Sequence, residues 1–343
     1  MTLQKNVAED VPEQAHSTLL DVQNLSIKLQ NQQNPVVDGV SFKINKRETL
    51  CLVGESGCGK SLTALSLMGL LPAPAVQRSA GTAHFNGRDL FALSPGKFRS
   101  VRGDELAMIF QEPMTSLNPV HSIGAQITEM ILAHQATTAK QAKQQAVELL
   151  DMVKIADAKT RFFDYPHELS GGMRQRVMIA IAMANKPKLL IADEPTTALD
   201  VTVQLEILAL IKELQKETET AVLFITHDFG VVANIADRVA VMYGGHMVEY
   251  GSVTRIFHSP QHPYTLGLMN AMPDISRPKL VLPAIAGIVP PVNEMPPGCR
   301  FYSRCPFGDE TCKQIKPETT RCEPDHEVNC FKTPIENVFS VVL

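Results

Sequence analysis

An apolar run, a glycine-rich loop and a helix-forming stretch follow one another directly near residues 49–68. The run Thr49–Val53 predicts a buried strand, and the stretch from Lys60 predicts a helix. The loop matches the spacing G-x-x-x-x-G-K-S of a phosphate-binding loop, with the residues Gly54, Glu55, Ser56, Gly57, Cys58, Gly59, Lys60 and Ser61. Glycines let successive backbone N–H groups face a polyphosphate, and the helix dipole favours the same anion. We therefore expect a nucleotide site, with Lys60 on the β- and γ-phosphates and the Ser61 hydroxyl on Mg²⁺.

Bulk composition limits the classes of function. A chain of 343 residues with 44% hydrophobic residues is expected to form one large domain or two with a substantial core. The net charge of −4 gives no basic excess, so nucleic acid is not expected as the main partner. The apolar runs are shorter than the roughly 18 to 20 residues that cross a bilayer. Residues 1–17 lack the apolar core of a signal peptide and predict a disordered tail.

Hydrophobic periodicity and turn signals predict further elements along the chain. The expected strands are Leu19–Leu29, Val36–Ile44, Gly81–Gly87, Glu105–Phe110, Leu189–Ala192, Ala221–Thr226, Arg238–Tyr243 and His246–Tyr250. Two helices within Ile123–Lys154 predict a helical insertion, and two more are expected over Met173–Ala184 and Val201–Thr218. Continuous apolar strands that alternate with helices predict a doubly wound parallel sheet covered by helices on both faces.

Two acidic residues, Asp193 and Glu194, follow one of the predicted central strands. The carboxyl ends of parallel strands are where α/β sheets bind their ligands. Asp193 is expected to hold Mg²⁺, directly or through water, and Glu194 to polarise a water for in-line attack on the γ-phosphate. Adjacent acids after a strand also occur as a solvated loop pair, but the phosphate-binding loop in the same chain favours the nucleotide site.

A second helix start with bare glycine amides occurs at Leu169-Ser170-Gly171-Gly172. A serine and glycines at a helix N-terminus form another anion-binding arrangement. One phosphate-binding loop already serves one nucleotide. We therefore expect Ser170, Gly171 and Gly172 to contact a nucleotide that belongs to a neighbouring subunit.

In their order along the chain, these motifs resemble those of ABC transporter ATP-binding subunits. The resemblance covers roughly residues 19–255 and rests on the phosphate-binding loop, Gln111, Leu169 to Gly172, Asp193-Glu194, Ala198-Leu199-Asp200 and His227. It implies that Gln111 contacts Mg²⁺ and the attacking water and senses a transmembrane partner, while His227 contacts the γ-phosphate. It also implies that Ser170 and Gly172 bind the γ-phosphate across a dimer interface that Asp200 organises. An aspartate at this position is also a routine helix N-cap, and the two roles are compatible.

The fold class implied by the resemblance is α/β, a P-loop NTPase with an ABC-type nucleotide-binding domain. This fold class includes an antiparallel β subdomain, a helical subdomain at about residues 112–175 and a small Cys-rich C-terminal extension. The expected boundaries are 1–17 for the tail, 18–258 for the ATPase domain and 259–343 for the extension.

The adenine platform departs from the family pattern. Such subunits usually stack the base on an aromatic residue of the first strand pair, whereas Leu19–Val40 contains no Phe, Tyr or Trp. Ile27 or Leu29 is expected to cover the base by apolar contact, with less favourable stacking.

Prolines become frequent from about residue 259, and five cysteines follow at positions 299, 305, 312, 322 and 330. Thiols this close together in a cytoplasmic chain most often bind a metal, because thiolates select zinc or iron–sulfur clusters. The spacing lacks C-x-x-C, which weakens a zinc-ribbon interpretation, and unmetallated thiols are the alternative. The pair His258 and His262 is assigned no role, since Pro260 opposes helical ligand spacing.

The segments Gln261–Met269, Gly298-Cys299 and Ser303–Pro306 resemble the C-terminal extension of the peptide and nickel uptake branch of ABC transporters. This resemblance implies a [4Fe–4S] cluster, with Zn²⁺ as the alternative. It leaves Cys322 as a spare and assigns as ligands Cys299, Cys305, Cys312 and Cys330.

The sequence thus predicts the ATPase subunit of an importer for di- or oligopeptides, nickel or a related solute. The partners implied are a paralogous ATP-binding subunit in a heterodimer, two transmembrane permease subunits and, indirectly, an extracytoplasmic solute-binding protein. The chain is expected at the cytoplasmic face of the inner membrane. The alternatives are a soluble ABC ATPase of DNA repair or translation and a non-hydrolysing regulatory subunit. The short interval from Lys60 to Asp193 opposes the repair type, and Glu194 with His227 opposes the regulatory type.

Overall fold

The structure is a computed structural model that describes residues 17–30, 32–112, 116–197, 199–271 and 285–337. The tail expected over 1–17 lies outside these ranges except for Ser17, as do Ala198 and part of the proline-rich stretch, residues 272–284. None of the helices within these ranges combines the length and hydrophobicity that a membrane span requires.

The elements of the described residues alternate between strands and helices. The strands are β1 (Thr18–Leu29), β2 (Val37–Asn45), β3 (Thr49–Val53), β4 (Val76–Phe85), β5 (Arg88–Asp89), β6 (Leu106–Ile109), β7 (Leu189–Asp193), β8 (Ala221–Thr226), β9 (Arg238–Tyr243), β10 (His246–Ser252), β11 (Thr320–Glu323) and β12 (His326–Val328). The α-helices are α1 (Lys60–Leu67), α2 (Pro95–Val101), α3 (Ile123–His134), α4 (Ala139–Met152), α5 (Ala158–Arg161), α6 (Gly171–Met183), α7 (Val201–Thr218), α8 (Phe229–Ile235), α9 (Val253–His258), α10 (Pro263–Asn270) and α11 (Glu310–Gln314).

Two sheets organise these elements. The smaller sheet is antiparallel in the order β2-β1-β4-β5, and the larger one has eight strands in the order β11-β12-β10-β9-β3-β8-β7-β6. The strands from β9 to β6 run parallel to their neighbours, whereas β10, β12 and β11 continue the sheet in antiparallel fashion. The parallel centre predicted from alternating strands and helices is confirmed.

The central strands are buried on both faces, which explains their continuous apolar sequences. Along β3, Cys51 and Val53 lie in one core together with residues of α6, α7 and α8. The alternate residues Leu50 and Leu52 lie in a second core together with α1 and the antiparallel sheet. Helices therefore contribute to the cover of both faces, and on the second face the inward residues of β1 and β2 join α1 and α2 in the same core.

A helical lobe follows the end of β6. Ser122 caps α3 through a hydrogen bond from Ala125 N–H, and Thr138 forms a capping box with Gln141 at the start of α4. Both helices bury apolar residues in the core that also contains α6, namely Ile123, Ile127 and Ile131 of α3 and Ala142, Ala146 and Leu150 of α4. The lobe is thereby fixed to the helix that carries the Ser170 loop at its start.

Strand β4 begins earlier than the expected Gly81–Gly87. It starts at Val76 and pairs with the end of β1, where Leu29 lies opposite Val76. Residues 77–80 are exposed, so hydrophobic alternation does not mark this half of the strand. The Asn86-Gly87 turn then leads into β5 as expected.

The segment beyond residue 259 is built onto the large sheet. Strand β12 pairs antiparallel with β10, and β11 adds to its outer edge. Helix α10 buries Tyr264, whose ring packs edge-on against Tyr243 of β9 with centroids 4.7 Å apart. Phe301 completes this aromatic cluster at 5.0 Å from Tyr243. The extension therefore rests against β9, the strand beside β3.

Candidate functional site

The phosphate-binding loop connects β3 to α1 through glycines that no other residue can replace without strain. Gly54 has a φ of +155°, and a Cβ there would lie 2.1 Å from the carbonyl oxygen of Met242. Gly59 has a φ of +100° and immediately precedes α1. The loop can therefore approach a ligand with its backbone, as a phosphate site requires.

Lys60 and Ser61 begin α1 and make different contacts. The buried ammonium of Lys60 donates hydrogen bonds to the carbonyl oxygens of Gly54 at 2.7 Å and Glu55 at 3.0 Å. The Ser61 hydroxyl donates to Asp193 Oδ1 at 3.1 Å, although these residues are 132 positions apart. This brings together a hydroxyl and a carboxylate, both oxygen ligands that Mg²⁺ favours.

Asp193 and Glu194 lie at the carboxyl end of β7, as the sequence predicted. Burial raises the pKa of the Asp193 carboxyl, the Ser61 hydrogen bond lowers it, and the negative charge of Glu194 adds to the rise. A bound cation would favour the charged form of Asp193.

Glu194 is the centre of a small polar network. It accepts hydrogen bonds from Gln111 Nε2 at 3.3 Å and Thr197 Oγ at 2.9 Å. His227 Nδ1 lies 3.3 Å from its other carboxylate oxygen. Residues that follow β6, β7 and β8 thus meet at one carboxylate. This carboxylate can orient a water, while Gln111 and His227 fix the position of the carboxylate itself.

One cavity joins most of these groups, whereas the buried Asp193 is not part of its lining. Its lining consists of Gly54, Glu55, Ser56, Gly57, Gly59, Lys60, Ser61, Leu62, Gln111, Glu194, His227 and Leu268. Cys58 is buried behind the loop, with its Sγ 3.8 Å from Lys60 Nζ. Sequence reasoning missed Leu268, which comes from α10 and belongs to no nucleotide motif.

The Ser170 loop lies elsewhere. Ser170 caps α6 by accepting a hydrogen bond from Met173 N–H at 3.3 Å, and Asp200 caps α7 by accepting one from Val203 N–H at 3.0 Å. These two helix starts adjoin each other, because a Cβ on Gly172 would lie 2.8 Å from Val203. Among the described residues that line the cavity, none comes from Ser170, Gly171, Gly172 or Asp200.

Comparison with known proteins identifies the family. A family model described as ABC transporter matches residues 37–197, and another, described as oligopeptide/dipeptide transporter, C-terminal region, matches residues 248–312. The probable peptide ABC transporter ATP-binding protein y4tR of Sinorhizobium fredii is 47% identical over 97% of this chain and 98% of the relative. The chain belongs to the ABC transporter family. The oligopeptide transport ATP-binding protein AppD of Bacillus subtilis is 50% identical over 92% of this chain and 97% of the relative.

Solved ABC cassettes share the fold. Part of the ABC transporter complex cbiONQ, cbiO1 from Clostridium perfringens, gives a TM-score of 0.61 at 26% identity over 70% of this chain and 91% of that structure. The bacterial ABC transporter cassette MJ0796, whose structure is dimeric, gives a TM-score of 0.60 at 25% identity over 68% of this chain and 98% of that structure. As an ABC ATP-binding subunit, the chain uses ATP and Mg²⁺, hydrolyses ATP and works with membrane permease subunits.

The described lining of the cavity has little aromatic character. Within the described lining of the nucleotide cavity, the large apolar side chains are Leu62 and Leu268, and no aromatic residue contributes. Ile27 is fully buried because it points inward from β1, so it is not available to a base. Leu29 is half-buried at the end of the same strand, where it packs against the second core, and it is not part of the cavity lining.

Four cysteines of the extension line a second, smaller pocket. They are the four that the resemblance named, Cys299, Cys305, Cys312 and Cys330. Cys322 instead lies on β11. Burial raises the pKa of the Cys299 thiol to about 11 and that of Cys330 to about 12. A metal would have to displace these protons, since thiolates are the ligands.

His262 also lines the cysteine pocket, although its sequence context predicted no role for it. Its Nδ1 accepts a hydrogen bond from Tyr264 N–H at 3.0 Å, while its buried Nε2 has no partner among the described residues. The donor set of the pocket fits a thiophilic metal in chemistry. In the described ranges, however, no three His, Cys, Asp or Glu side chains are already arranged as a metal site.

Proposed function

We propose that this ABC subunit energises a membrane importer of di- or oligopeptides or a related small solute. The observation that carries the proposal is the match of residues 248–312 to the C-terminal region of oligopeptide/dipeptide transporters. The names of the relatives, which are peptide, oligopeptide and dipeptide transport ATP-binding proteins, support it further. These names favour transport over the repair, translation and regulatory alternatives.

We assign the nucleotide chemistry to the residues around Glu194. The loop Gly54–Ser61 would hold the phosphates, with Lys60 as a mobile positive charge. Ser61, Asp193 and Gln111 would hold Mg²⁺, which neutralises phosphate charge when bound. Glu194 would accept a proton from the attacking water, and His227 would hydrogen-bond the γ-phosphate. The contacts of Ser61 with Asp193 and of Glu194 with Gln111 support this arrangement.

The complete site requires a second subunit. Ser170, Gly171, Gly172 and Asp200 form an exposed pair of helix starts apart from the chain's own cavity. We propose that they complete the site of a paralogous ATP-binding subunit, and that ATP-driven closure of this heterodimer moves two permease subunits. A solute-binding protein outside the membrane would supply the substrate, and the subunit would work at the cytoplasmic face of the inner membrane.

Glu194→Gln tests the assignment of the base. The variant keeps the shape of the side chain but removes the carboxylate, so ATP hydrolysis should fall by about 10² to 10⁴-fold. ATP affinity should be retained, and ATP should drive the variant into a stable dimer with its partner. Hydrolysis is measured by phosphate release, dimerisation by size-exclusion chromatography, and import by uptake of labelled dipeptide.

The matched control for this test is Glu213→Gln. Glu213 is an exposed glutamate of α7 that pairs with Lys154 on the surface. The Glu213→Gln variant should leave ATP hydrolysis and dipeptide uptake unchanged. Normal turnover in Glu194→Gln would contradict the assignment of the base, and normal hydrolysis without peptide uptake in the wild type would contradict peptide import.

We further propose that Cys299, Cys305, Cys312 and Cys330 hold a [4Fe–4S] cluster, with Zn²⁺ as the alternative. Their common pocket supports this proposal. The group would serve as a structural centre of the extension. His262 would contribute a polar edge to the same pocket.

Serine substitutions test the ligand set. In protein purified without oxygen, Cys305→Ser should lose most of the iron and the visible absorbance of an iron–sulfur cluster, because one thiolate ligand is removed. Cys322→Ser, on β11, is the matched control and should keep both. Iron, sulfide and zinc are quantified together, and stoichiometric zinc without iron would replace the cluster by the zinc alternative.

A further inference from the structure

Residues of the C-terminal extension hold Glu55 of the phosphate-binding loop at two points. The backbone N–H of Glu55 donates to the hydroxyl oxygen of Tyr264 at 2.9 Å. Its carboxylate receives two hydrogen bonds from Arg304, at 2.6 Å from Nη1 and 3.0 Å from Nη2. Such a two-pronged guanidinium–carboxylate contact fixes direction as well as distance.

Arg304 is itself rigidly held. Only 4% of its side chain is exposed. Its remaining donors reach the carbonyl oxygens of Ala286 at 2.9 Å and Ile285 at 3.2 Å, and Nη1 lies 3.4 Å from the hydroxyl of Tyr243. The guanidinium therefore cannot follow a moving carboxylate, so it determines where the Glu55 side chain lies.

The position of the Glu55 carboxylate affects how strongly the cavity can bind the negatively charged phosphates of a nucleotide. Glu55 lines the nucleotide cavity together with Lys60 and Ser61. An unpaired carboxylate there would repel the phosphates, and in a partly buried site such repulsion is weakly screened. Paired with Arg304, the charge is neutralised and directed towards the extension.

We propose that Arg304 and Tyr264 are positioning residues of the phosphate-binding loop, which hold Glu55 against the extension and so make ATP binding depend on it. The proposal rests on the loop being the ATP site, as proposed above. Arg304 directly precedes Cys305, so the segment that positions the loop also lines the cysteine pocket.

A charge-rescue experiment on the full-length subunit tests the proposal. Affinity for a non-hydrolysable ATP analogue with Mg²⁺ is measured by calorimetry, and KM and kcat for ATP are measured separately. Arg304→Met should weaken binding by about tenfold or more, because it leaves the Glu55 carboxylate unpaired beside the phosphates. Glu55→Gln alone should bind ATP at least as well as wild type.

The double variant Arg304→Met with Glu55→Gln separates the two roles that Arg304 could have. If Arg304 acts through the charge of Glu55, the second change should restore affinity to within about threefold of wild type, which is less than 1 kcal/mol. If Arg304 only supports the extension, the double variant should bind as weakly as Arg304→Met, and the proposal is overturned. Unchanged affinity in Arg304→Met overturns it equally.

Further variants complete the test. Arg255→Met breaks the exposed pair between Arg255 and Glu323, neither of which lines the cavity, and it should leave affinity unchanged. Tyr264→Phe removes the acceptor of the Glu55 N–H and should raise KM more than it lowers kcat; a fall in kcat alone counts against the positioning role. If Arg304→Met does not fold, Arg304→Gln gives the same comparison with and without Glu55→Gln, because glutamine is also uncharged but keeps hydrogen-bond donors for the buried carbonyl groups.

Lys60→Ala distinguishes failure of the inference from failure of the site. It should abolish binding of the analogue if the loop is the ATP site. If Lys60→Ala does not bind the analogue but Arg304→Met binds it normally, only the inference about Arg304 is overturned. Normal binding in Lys60→Ala overturns both.

Discussion

At the scale of single residues, Glu194 combines the proposed role of catalytic base with an unfavourable backbone. Its φ is +46°, in the left-handed region that side chains other than glycine rarely adopt, at a cost of roughly 1–2 kcal/mol. Contacts with Gln111, Thr197 and His227 hold the carboxylate in place. The backbone conformation aims this side chain at the cavity, which explains why the fold retains the strain.

Replacing Glu194 by glycine or by alanine measures this strain. Both changes remove the same carboxylate and its hydrogen bonds, so the difference between them reports the backbone. We expect the glycine variant to be more stable than the alanine variant by about 0.5–1 kcal/mol, because glycine adopts positive φ freely. The free energy of unfolding is measured by urea denaturation. Equal stability, or a more stable alanine variant, would show that the left-handed backbone carries no strain.

The same scale shows what the sequence could and could not reveal about the site. Lys60, Asp193 and Glu194 belong to short runs whose spacing follows from phosphate and metal chemistry, so they were predictable. Tyr264 and Arg304 contact Glu55 across 209 and 249 positions of sequence, and no local pattern announces such contacts. Leu268 was missed for the same reason.

At the scale of elements, an amphipathic helix with clear end signals and a fully buried strand were the most predictable. Helix α7 has the expected bounds, because Asp200 caps its start and Glu219, with a φ of +58°, ends it. Strand β8 also has the expected bounds, since all its residues are buried and apolar apart from Thr226. In contrast, the exposed first half of β4 carries no hydrophobic pattern, and its pairing with β1 alone makes it a strand.

The identity of the layer that covers each sheet face was less predictable. The apolar residues of β3 predicted two covered faces, and both are covered. Nothing in the pattern of β3 distinguishes a helix from an antiparallel sheet as the cover. The residues that decide this, such as Leu20 and Phe42, lie on other elements and act only when the chain is folded.

At the scale of the whole molecule, a buried carboxylate joins the extension to the sheet. Glu249 of β10 is 1% exposed and accepts hydrogen bonds from the backbone N–H groups of Gln261 at 2.6 Å and His262 at 3.0 Å. His326 of β12 lies 2.7 Å from the same carboxylate. The expected domain boundary at 258/259 thus falls between residues that one side chain holds together.

Because of this shared contact, the extension and the ATPase core should unfold as one unit. Glu249→Ala should destabilise the full chain by roughly 3–5 kcal/mol, since it leaves two buried amides and an imidazole without their acceptor. The exposed pair of Arg255 with Glu323 gives the control, and Arg255→Ala should cost less than about 1 kcal/mol.

Unfolding in urea is followed by circular dichroism and by alkylation of Cys322 on β11, a probe local to the extension. Coincident midpoints by both probes are expected for the wild type. An earlier, separate transition at Cys322 would mean that the extension is an independent domain. If Glu249→Ala lowers the free energy of unfolding no more than Arg255→Ala does, Glu249 does not join the extension to the core.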